Sequence, residues 1–341
     1  MDIVAEATPL LPESEYDPSD WAILARHWYP VARADEIGAG PFATQLLDVK
    51  LVLYRTEAGI AIARDVCPHR GVMLSRGAVV ADQLVCPYHG LHFDPSGRCT
   101  RIPAQPGITP SARLSLRMFP VVEAYGLVWT CLTQGVEPDL PPLPEWEDPS
   151  YETILPPHLD IGGSAARQVE GFIDVAHFAF VHDKAFADPD NAVVPAYETT
   201  LTETGLRSDY ISDISNYPKE LQHLAPPDFR WLRAYEVYAP YCAKLTVHFP
   251  GAQRYHILNC ASPVSVRKTR LFVPIARNFD TLGTVESVLA FNAQIFAEDA
   301  AIVETQRPVI LDGNAAEEHF AADRSSVAYR RVLKRMGLGR A

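Results

Sequence analysis

Four residues in two short motifs carry the first chemistry. Cys67-Pro-His69 is followed, after sixteen intervening residues, by Cys86-Pro-Tyr-His89. Each motif offers one thiolate and one imidazole, and this interleaved order suits a 2Fe–2S cluster in which two thiolates hold one iron and two imidazoles hold the other. Structural zinc is the bland alternative, but zinc patterns group like ligands together as Cys-x-x-Cys and His-x-x-x-His runs. The order therefore reads as a redox centre ligated by Cys67, His69, Cys86 and His89. Neutral imidazoles in place of two thiolates lift the potential to roughly −150 to +300 mV, against about −400 mV for an all-Cys plant-type cluster.

The flanking residues suit two tight loops. Pro68 and Pro87 fix the backbone beside each thiolate, and Gly71 and Gly90 permit sharp reversals. Tyr88 is placed to donate its hydroxyl to a ligand sulfur. Cys99, Cys131, Cys242 and Cys260 show no cluster spacing and read as small buried hydrophobes in a reducing compartment.

A second set of donors lies in Glu170-Gly-Phe-Ile-Asp174-Val-Ala-His177-Phe-Ala-Phe-Val-His182. The residues between the polar positions are almost all apolar, so Glu170, Asp174 and His177 form a polar stripe on a buried helix and need partners there. His177 and His182 are five apart, roughly 140° around a regular helix, so both reach one metal only if the helix breaks between them, near Phe180. A third donor follows from periodicity. Val288, Leu289, Asn292, Ile295, Phe296, Asp299 and Val303 keep the i, i+3, i+4, i+7 rhythm, which places Asp299 on a core-facing stripe and turns Glu298 elsewhere. Two histidines and one carboxylate make a facial triad with open positions, as in non-haem Fe(II) oxygenases. Each of these residues alone would more often be a satisfied core histidine or a capping acid.

Elements must position these donors. LLDVKLVLYR and GIAIARDV read as a hairpin leading into the first loop, and Val79–Val85 enters the second. Asp-Pro-Ser-Gly in HFDPSGRC is a turn, and YGLVWTCL a later strand. The prolines from Pro138 to Pro149 forbid regular structure and mark a boundary. The expected organisation is a flexible lead-in at 1–20, an all-β cluster domain at 21–148, and a catalytic domain at 149–341. The second part offers strands near 197–201, 206–214, 233–238, 243–249, 254–260 and 269–276. Helices follow at about 284–306 and 325–336, the last ending at Gly337. The fold class is α+β.

Composition narrows the partners. A net charge of −12 in 341 residues argues against nucleic acid and anionic membranes. No apolar stretch approaches the ~18 residues of a membrane span, and no signal sequence is visible, so the expected location is the cytoplasm. There is no Gly-x-Gly-x-x-Gly fingerprint, so electrons must come from a separate reductase, with or without a ferredoxin. Arg70, Arg76, Arg98 and Arg101, and the C-terminal set Arg330, Arg331, Lys334 and Arg335, are candidate docking charges or plain solvated surface. Asn292, one face with Asp299, is a candidate substrate contact or a buried helix amide. Phe172, Phe178, Phe291 and Tyr255 would line an aromatic site or belong to core.

The ordered motifs CPHRG, CPYHG, YGLVW, EGFIDVAHFAFVH and FAEDAAIVETQRP resemble the oxygenase component of the Rieske non-haem iron oxygenases. The likeness is greatest to the smaller demethylating monooxygenases that act on caffeine, dicamba and vanillate. The resemblance implies an N-terminal Rieske domain and a helix-grip catalytic domain, an antiparallel sheet packed by helices. It makes Cys67, His69, Cys86 and His89 the cluster ligands, and His177, His182 and Asp299 the ligands of a mononuclear Fe(II) that uses O2. Asp174 becomes the acid linking two metal centres across subunits of a homotrimer. The implied reaction either hydroxylates a methyl on N or O of an aromatic or heterocyclic compound, with collapse of the product to formaldehyde, or hydroxylates a methyl group of such a compound. Ring cis-dihydroxylation by the same centres is the alternative, and a pure electron carrier a more distant one. Two positions depart from the pattern: Gly171 stands where several demethylases carry Asn, and Leu91 where Trp is usual.

Overall fold

The computed structural model describes residues 8–279, 284–312 and 317–340. The chain divides into two compact units, Met1–Asp139 and Leu140–Ala341. This division falls ahead of the expected cut after residue 148, because the turn Pro144–Trp146 packs on the strand Ile275–Arg277 of the second unit. The expected loose lead-in to residue 20 is also anchored earlier. Thr8 Oγ1 donates to Leu132 O at 2.7 Å, Trp21 Nε1 donates to Thr8 O at 3.2 Å, and Tyr16 is buried. Residues 1–7 of that lead-in lie outside the described residues. A short helix α1 (Pro18–Leu24) follows, capped by Asp17, whose carboxylate accepts from Ser19 N.

The first unit is built from three small antiparallel sheets. Phe42–Leu46, Val49–Thr56, Gly59–Arg64 and Met118–Phe119 form one, and Tyr29–Arg33, Leu127–Thr130 and Val121–Ala124 a second. The third, Ala78–Val80, Gln83–Val85, His92–Phe93 and Cys99–Arg101, carries the cluster loops. Two hairpins turn through Leu47-Asp48 and Ala81-Asp82, all four residues left-handed, as the two-residue turn that matches strand twist requires. Between the sheets Val52, Tyr54, Leu74, Leu84, Leu91 and Phe93 pack with Cys67 and Cys86 in one apolar core.

The second unit is a nine-stranded antiparallel sheet with helices against it. Its main path runs Glu152–Ile154, Ile275–Arg277, Arg254–Ser265, Cys242–His248, Trp231–Tyr238, Gly205–Ser212 and Glu198–Leu201. Lys268–Phe272 joins the far half of Arg254–Ser265 and pairs with Leu159–Ile161. The strands at 152–154 and 159–161 escape sequence reading because each is only three residues long. Helix α2 (Ala165–Ile173) starts at Ser164, whose hydroxyl accepts from Arg167 N, and packs on Arg254–Ser265. After α3 (Phe178–Val181) come α4 (Val285–Val303), capped by Thr284, and α5 (Arg324–Met336), which ends at left-handed Gly337. Helix α5 covers Gly205–Ser212 and Glu198–Leu201.

Helix α2 corrects one expectation directly. Glu170 does not join the metal-facing stripe: Arg330 Nε donates to its Oε1 at 2.6 Å and Arg167 Nη1 to its Oε2 at 3.2 Å, while both arginines also donate to Glu317. Arg330 is therefore a structural ion-pair residue rather than a docking charge.

Candidate functional site

Residues Cys67–Val72 and Cys86–Leu91 form two copies of one loop. Cys67 N donates to Val72 O at 2.8 Å and Gly71 N to Cys67 O at 2.9 Å; Cys86 N donates to Leu91 O at 2.9 Å and Gly90 N to Cys86 O at 3.1 Å. Both loops reverse through a glycine in the left-handed region, Gly71 at φ 72° and Gly90 at φ 67°, where a Cβ would be strained. The donors pair by type. Cys67 and Cys86 are buried beside each other, and the exposed rings of His69 and His89 lie with centroids 4.8 Å apart. Sulfur beside sulfur and imidazole beside imidazole fits a cluster with one iron held by each pair. Burial, reinforced by Cys86, pushes the Cys67 thiol up to about 11, so this thiol stays neutral unless a cation replaces its proton.

Around the loops, Leu91 fills the core beneath the thiols, 2% exposed, where a larger ring would need other neighbours to move. Tyr88 does not donate to sulfur as expected. Its ring stacks on His89 at 3.8 Å and stays 61% exposed, and among the described residues its hydroxyl makes no bond to a cysteine. Arg70, Arg76, Arg98 and Arg101 are all exposed, and Arg98 pairs with Asp94 at 3.2 Å.

In the second unit the structure brings His177, His182 and Asp299 together. His177 Nε2 and His182 Nε2 are 3.2 Å apart, and Asp299 Oδ1 lies 3.4 Å from the first and 3.2 Å from the second. Donors about 2.1 Å from one metal and at right angles to each other are about 3.0 Å apart, so this triangle fits three facial ligands. Among the described residues it is the only such group of three.

The local backbone explains how two histidines five apart converge. The expected break at Phe180 does not occur; Phe180 is helical and 65% exposed. Instead, Asp174 ends α2, and its Oδ1 accepts from Ala176 N at 2.6 Å and His177 N at 3.3 Å, competing with the helix ladder. The chain restarts as the single turn α3, with His177 at its N-cap and His182 at its C-cap. Both histidines thus sit on the ends of one turn and point to the same side.

Each imidazole has a carboxylate behind it. His177 Nδ1 is 3.6 Å from Asp174 Oδ1. His182 Nδ1 is 2.8 Å from Glu298 Oε2, whose other oxygen accepts from Gln294 Nε2 at 2.9 Å. Glu298 therefore corrects the expectation that it points elsewhere: it is the orienting partner of His182. Such partners hold the Nδ1 proton and leave Nε2 free to ligate. Burial works against charge on His177, but Asp174 and Asp299 outweigh it and raise its pKa to about 9. Burial also works to raise Asp299, and the two imidazoles hold it below the usual carboxylate range. A metal seated here displaces a proton.

The triad opens on a cavity of 380 Å³. Its floor is two cross-strand rows of the sheet, Arg233, Val247 and Tyr255, then Tyr235, Leu245 and Ile257. Helix α4 supplies Val288, Phe291, Asn292, Ile295 and Phe296, and α2 and α3 supply Phe172 and Phe178. All four aromatics proposed from sequence line it. Asn292 lines it too, 4% exposed, with its amide nitrogen donating to Tyr255 OH and to Val288 O, both at 2.8 Å. Beside the triad, Gly171 borders a smaller pocket of 60 Å³ with Asp174, His177 and Asp299. Arg233, Tyr235 and Glu298 were not legible as site residues; only the adjacent acids Glu298-Asp299, with Gln294 one turn earlier, gave a local signal.

Comparison with known proteins identifies both domains. Residues 27–120 match the Rieske 2Fe–2S domain, and residues 162–338 match the vanillate O-demethylase oxygenase C-terminal domain. The chain is 31% identical over 342 residues to the methylxanthine N3-demethylase of Pseudomonas putida, covering 97% of this chain and 92% of that protein. It is 37% identical over 160 residues to the oxygenase component of dicamba O-demethylase from Stenotrophomonas maltophilia, 46% of each chain. Among solved structures, that of the Pseudomonas putida CBB5 N1-demethylase NdmA with caffeine superposes with a TM-score of 0.81 at 28% identity, over 93% of this chain and 92% of that one. The chain belongs to the Rieske non-haem iron oxygenases: it is the oxygenase component of a Rieske monooxygenase, with a catalytic domain of the vanillate O-demethylase type.

Proposed function

We propose that this oxygenase removes a methyl group from N or O of a small aromatic or heterocyclic molecule, releasing formaldehyde. The observation that carries the reading is the cavity itself: His177, His182 and Asp299 form part of the wall of an otherwise mostly aromatic and aliphatic chamber. A cavity of about 150 Å³ holds benzene, so 380 Å³ accommodates a substituted ring or a bicycle. Iron held by the triad would supply O2 activation, with electrons from the cluster held by Cys67, His69, Cys86 and His89. The protein's own part is positional. Phe172, Phe178 and Phe291 exclude water and hold a flat ring, and Asp174 and Glu298 fix the two imidazoles. No nucleophile is needed, because a hydroxylated N- or O-methyl breaks down by itself.

Asp174 is proposed as the link between metal centres of neighbouring subunits in a homotrimer. One of its oxygens is committed to the Ala176 and His177 amides, and a third of the side chain is exposed, open to an exposed histidine of a second copy. Electrons are proposed to come from a separate reductase, directly or through a ferredoxin, with Arg70, Arg76 and Arg101 as exposed charges near the cluster loops. A reducing compartment, the cytoplasm, suits Cys99, Cys131, Cys242 and Cys260, the four cysteines outside the cluster motifs, which are free thiols. No helix among the described residues is long and apolar enough to cross a membrane.

The test is reconstitution with a surrogate reductase and a panel of methylated aromatics. Formaldehyde together with the demethylated product is expected. A cis-diol without formaldehyde would instead establish ring dihydroxylation, and two irons per chain rather than three would leave only an electron carrier.

A further inference from the structure

Arg233 lies on the cavity wall with its side chain 1% exposed. A buried guanidinium is costly unless an anion pairs with it. Three arginines are fully buried among the described residues, and two obey this rule. Arg277 meets Glu152 at 2.6 Å, and Arg167 meets Glu170 at 3.2 Å and also Glu317. Arg233 has no carboxylate at ion-pair distance among the described residues. Its Nε donates to Asn216 Oδ1 at 3.2 Å, Nη1 to Ser212 Oγ at 3.1 Å and Nη2 to Ile214 O at 2.9 Å, all neutral acceptors.

A guanidinium carries five N–H donors, so these three bonds leave one hydrogen on each terminal nitrogen. The ring of Phe178, 5.3 Å from Arg233 Cζ, helps hold the cation but supplies no countercharge. Apart from Asp299, the only carboxylate on this wall among the described residues is Glu220, on an exposed turn and outside ion-pair distance. The anchors of Arg233 are thus fixed, its charge is unanswered, and the open space beside it is the substrate chamber.

We propose that Arg233 is a specificity-determining residue that receives a planar oxyanion of the substrate, such as a ring carboxylate. Two terminal N–H groups match the two oxygens of such a group. Phe178 links this guanidinium to the triad: its ring centroid lies 5.3 Å from Arg233 Cζ and 4.9 Å from the His177 ring centroid. The anion therefore binds one aromatic ring away from the triad, and the oxidised group lies on the triad side of Phe178. The placing of the oxidised group rests on the demethylase reading; the anion site does not.

The experiment is equilibrium binding of matched pairs, para- and meta-methoxybenzoate against the corresponding methoxybenzamides, to the anaerobic holoenzyme. A buried charged hydrogen-bond pair is worth about 100-fold in affinity, so the acid should bind about 100-fold more tightly than its amide. R233M should erase the preference, and R233K, which keeps the charge but not the fork, should retain part of it. Equal affinities of acid and amide in the native protein, or no binding of either acid, overturns the proposal without any variant having to fold. Formaldehyde measured on the same pairs separates the two readings. A bound acid converted to another product retires demethylation but keeps the anchor, whereas amides demethylated as readily as acids retire the anchor and keep demethylation.

Discussion

Replacing Glu298 by Ala should weaken iron binding while leaving the fold and the cluster intact. The carboxylate stands 2.8 Å from His182 Nδ1, is steadied by Gln294 at 2.9 Å, and belongs to α4, which also carries Asp299. Orienting partners of ligand histidines are worth about 10- to 100-fold in metal affinity. The upper end applies here, because the His182 side chain is only 2% exposed and water cannot easily take over the Nδ1 proton. The expected loss is about 100-fold, or about 2.8 kcal/mol. E298Q, which can still accept from Nδ1 through its amide oxygen, should fall between. The assay is anaerobic titration of Co(II) or Fe(II) into the mononuclear site, with cluster absorbance as an internal reference. An E298A protein that binds metal as tightly as the native one would refute the role of Glu298 and with it the oriented-imidazole account of His182.

Asp174→Asn should keep three irons per chain yet slow turnover by about tenfold or more, since the charge behind His177 is lost; normal turnover under limiting reductase would dispose of the relay. Gly77→Ala should destabilise the first unit by roughly 1–3 kcal/mol and lower cluster occupancy. A Cβ there would stand 2.0 Å from Val85 O, immediately before Cys86, and a native melting temperature with full cluster absorbance would contradict this. Glu317 has its pKa lowered to about 2, chiefly by Arg167 and then Arg330, so its contribution is complete above the ordinary value of 4.5 and is lost as pH falls toward 2. Thermal melts of the native protein and E317Q should therefore differ at pH 6 and converge near pH 2, and a constant difference would exclude the linkage.

The cluster ligands were legible because their information is local. Thiolate and imidazole types at fixed spacing, flanked by Pro and Gly, specify both the donors and the tight loops that present them, and the structure forms those loops through left-handed Gly71 and Gly90. Asp299 was legible for a different reason. The helical period of α4 places it with Asn292 and Phe296, and a carboxylate on that stripe requires a partner. The same periodicity misjudged Glu298. A step of 100° separates neighbouring side chains on a helix, but His182 approaches from the side and meets the acid that the stripe excluded. The supposed break at Phe180 failed because Asp174 offered the backbone a competing hydrogen-bond acceptor ahead of His177, which no apolar pattern records.

What the chain determined on its own was the chemistry: the cofactors, the candidate donors for each, the α+β class and the family that combines them. These depend on residue type and short-range periodicity, which are written along the backbone. Tertiary structure alone decided which donors receive support and which charges are left unanswered. Arg167, Arg277 and Arg233 look alike in sequence apart from Glu170, one helical turn after Arg167, and only folding brings Glu317 to the first and Glu152 to the second while leaving the third facing the chamber. Glu317 and Glu152 lie more than a hundred residues from the arginines they meet, so the presence or absence of such a partner is a property of packing.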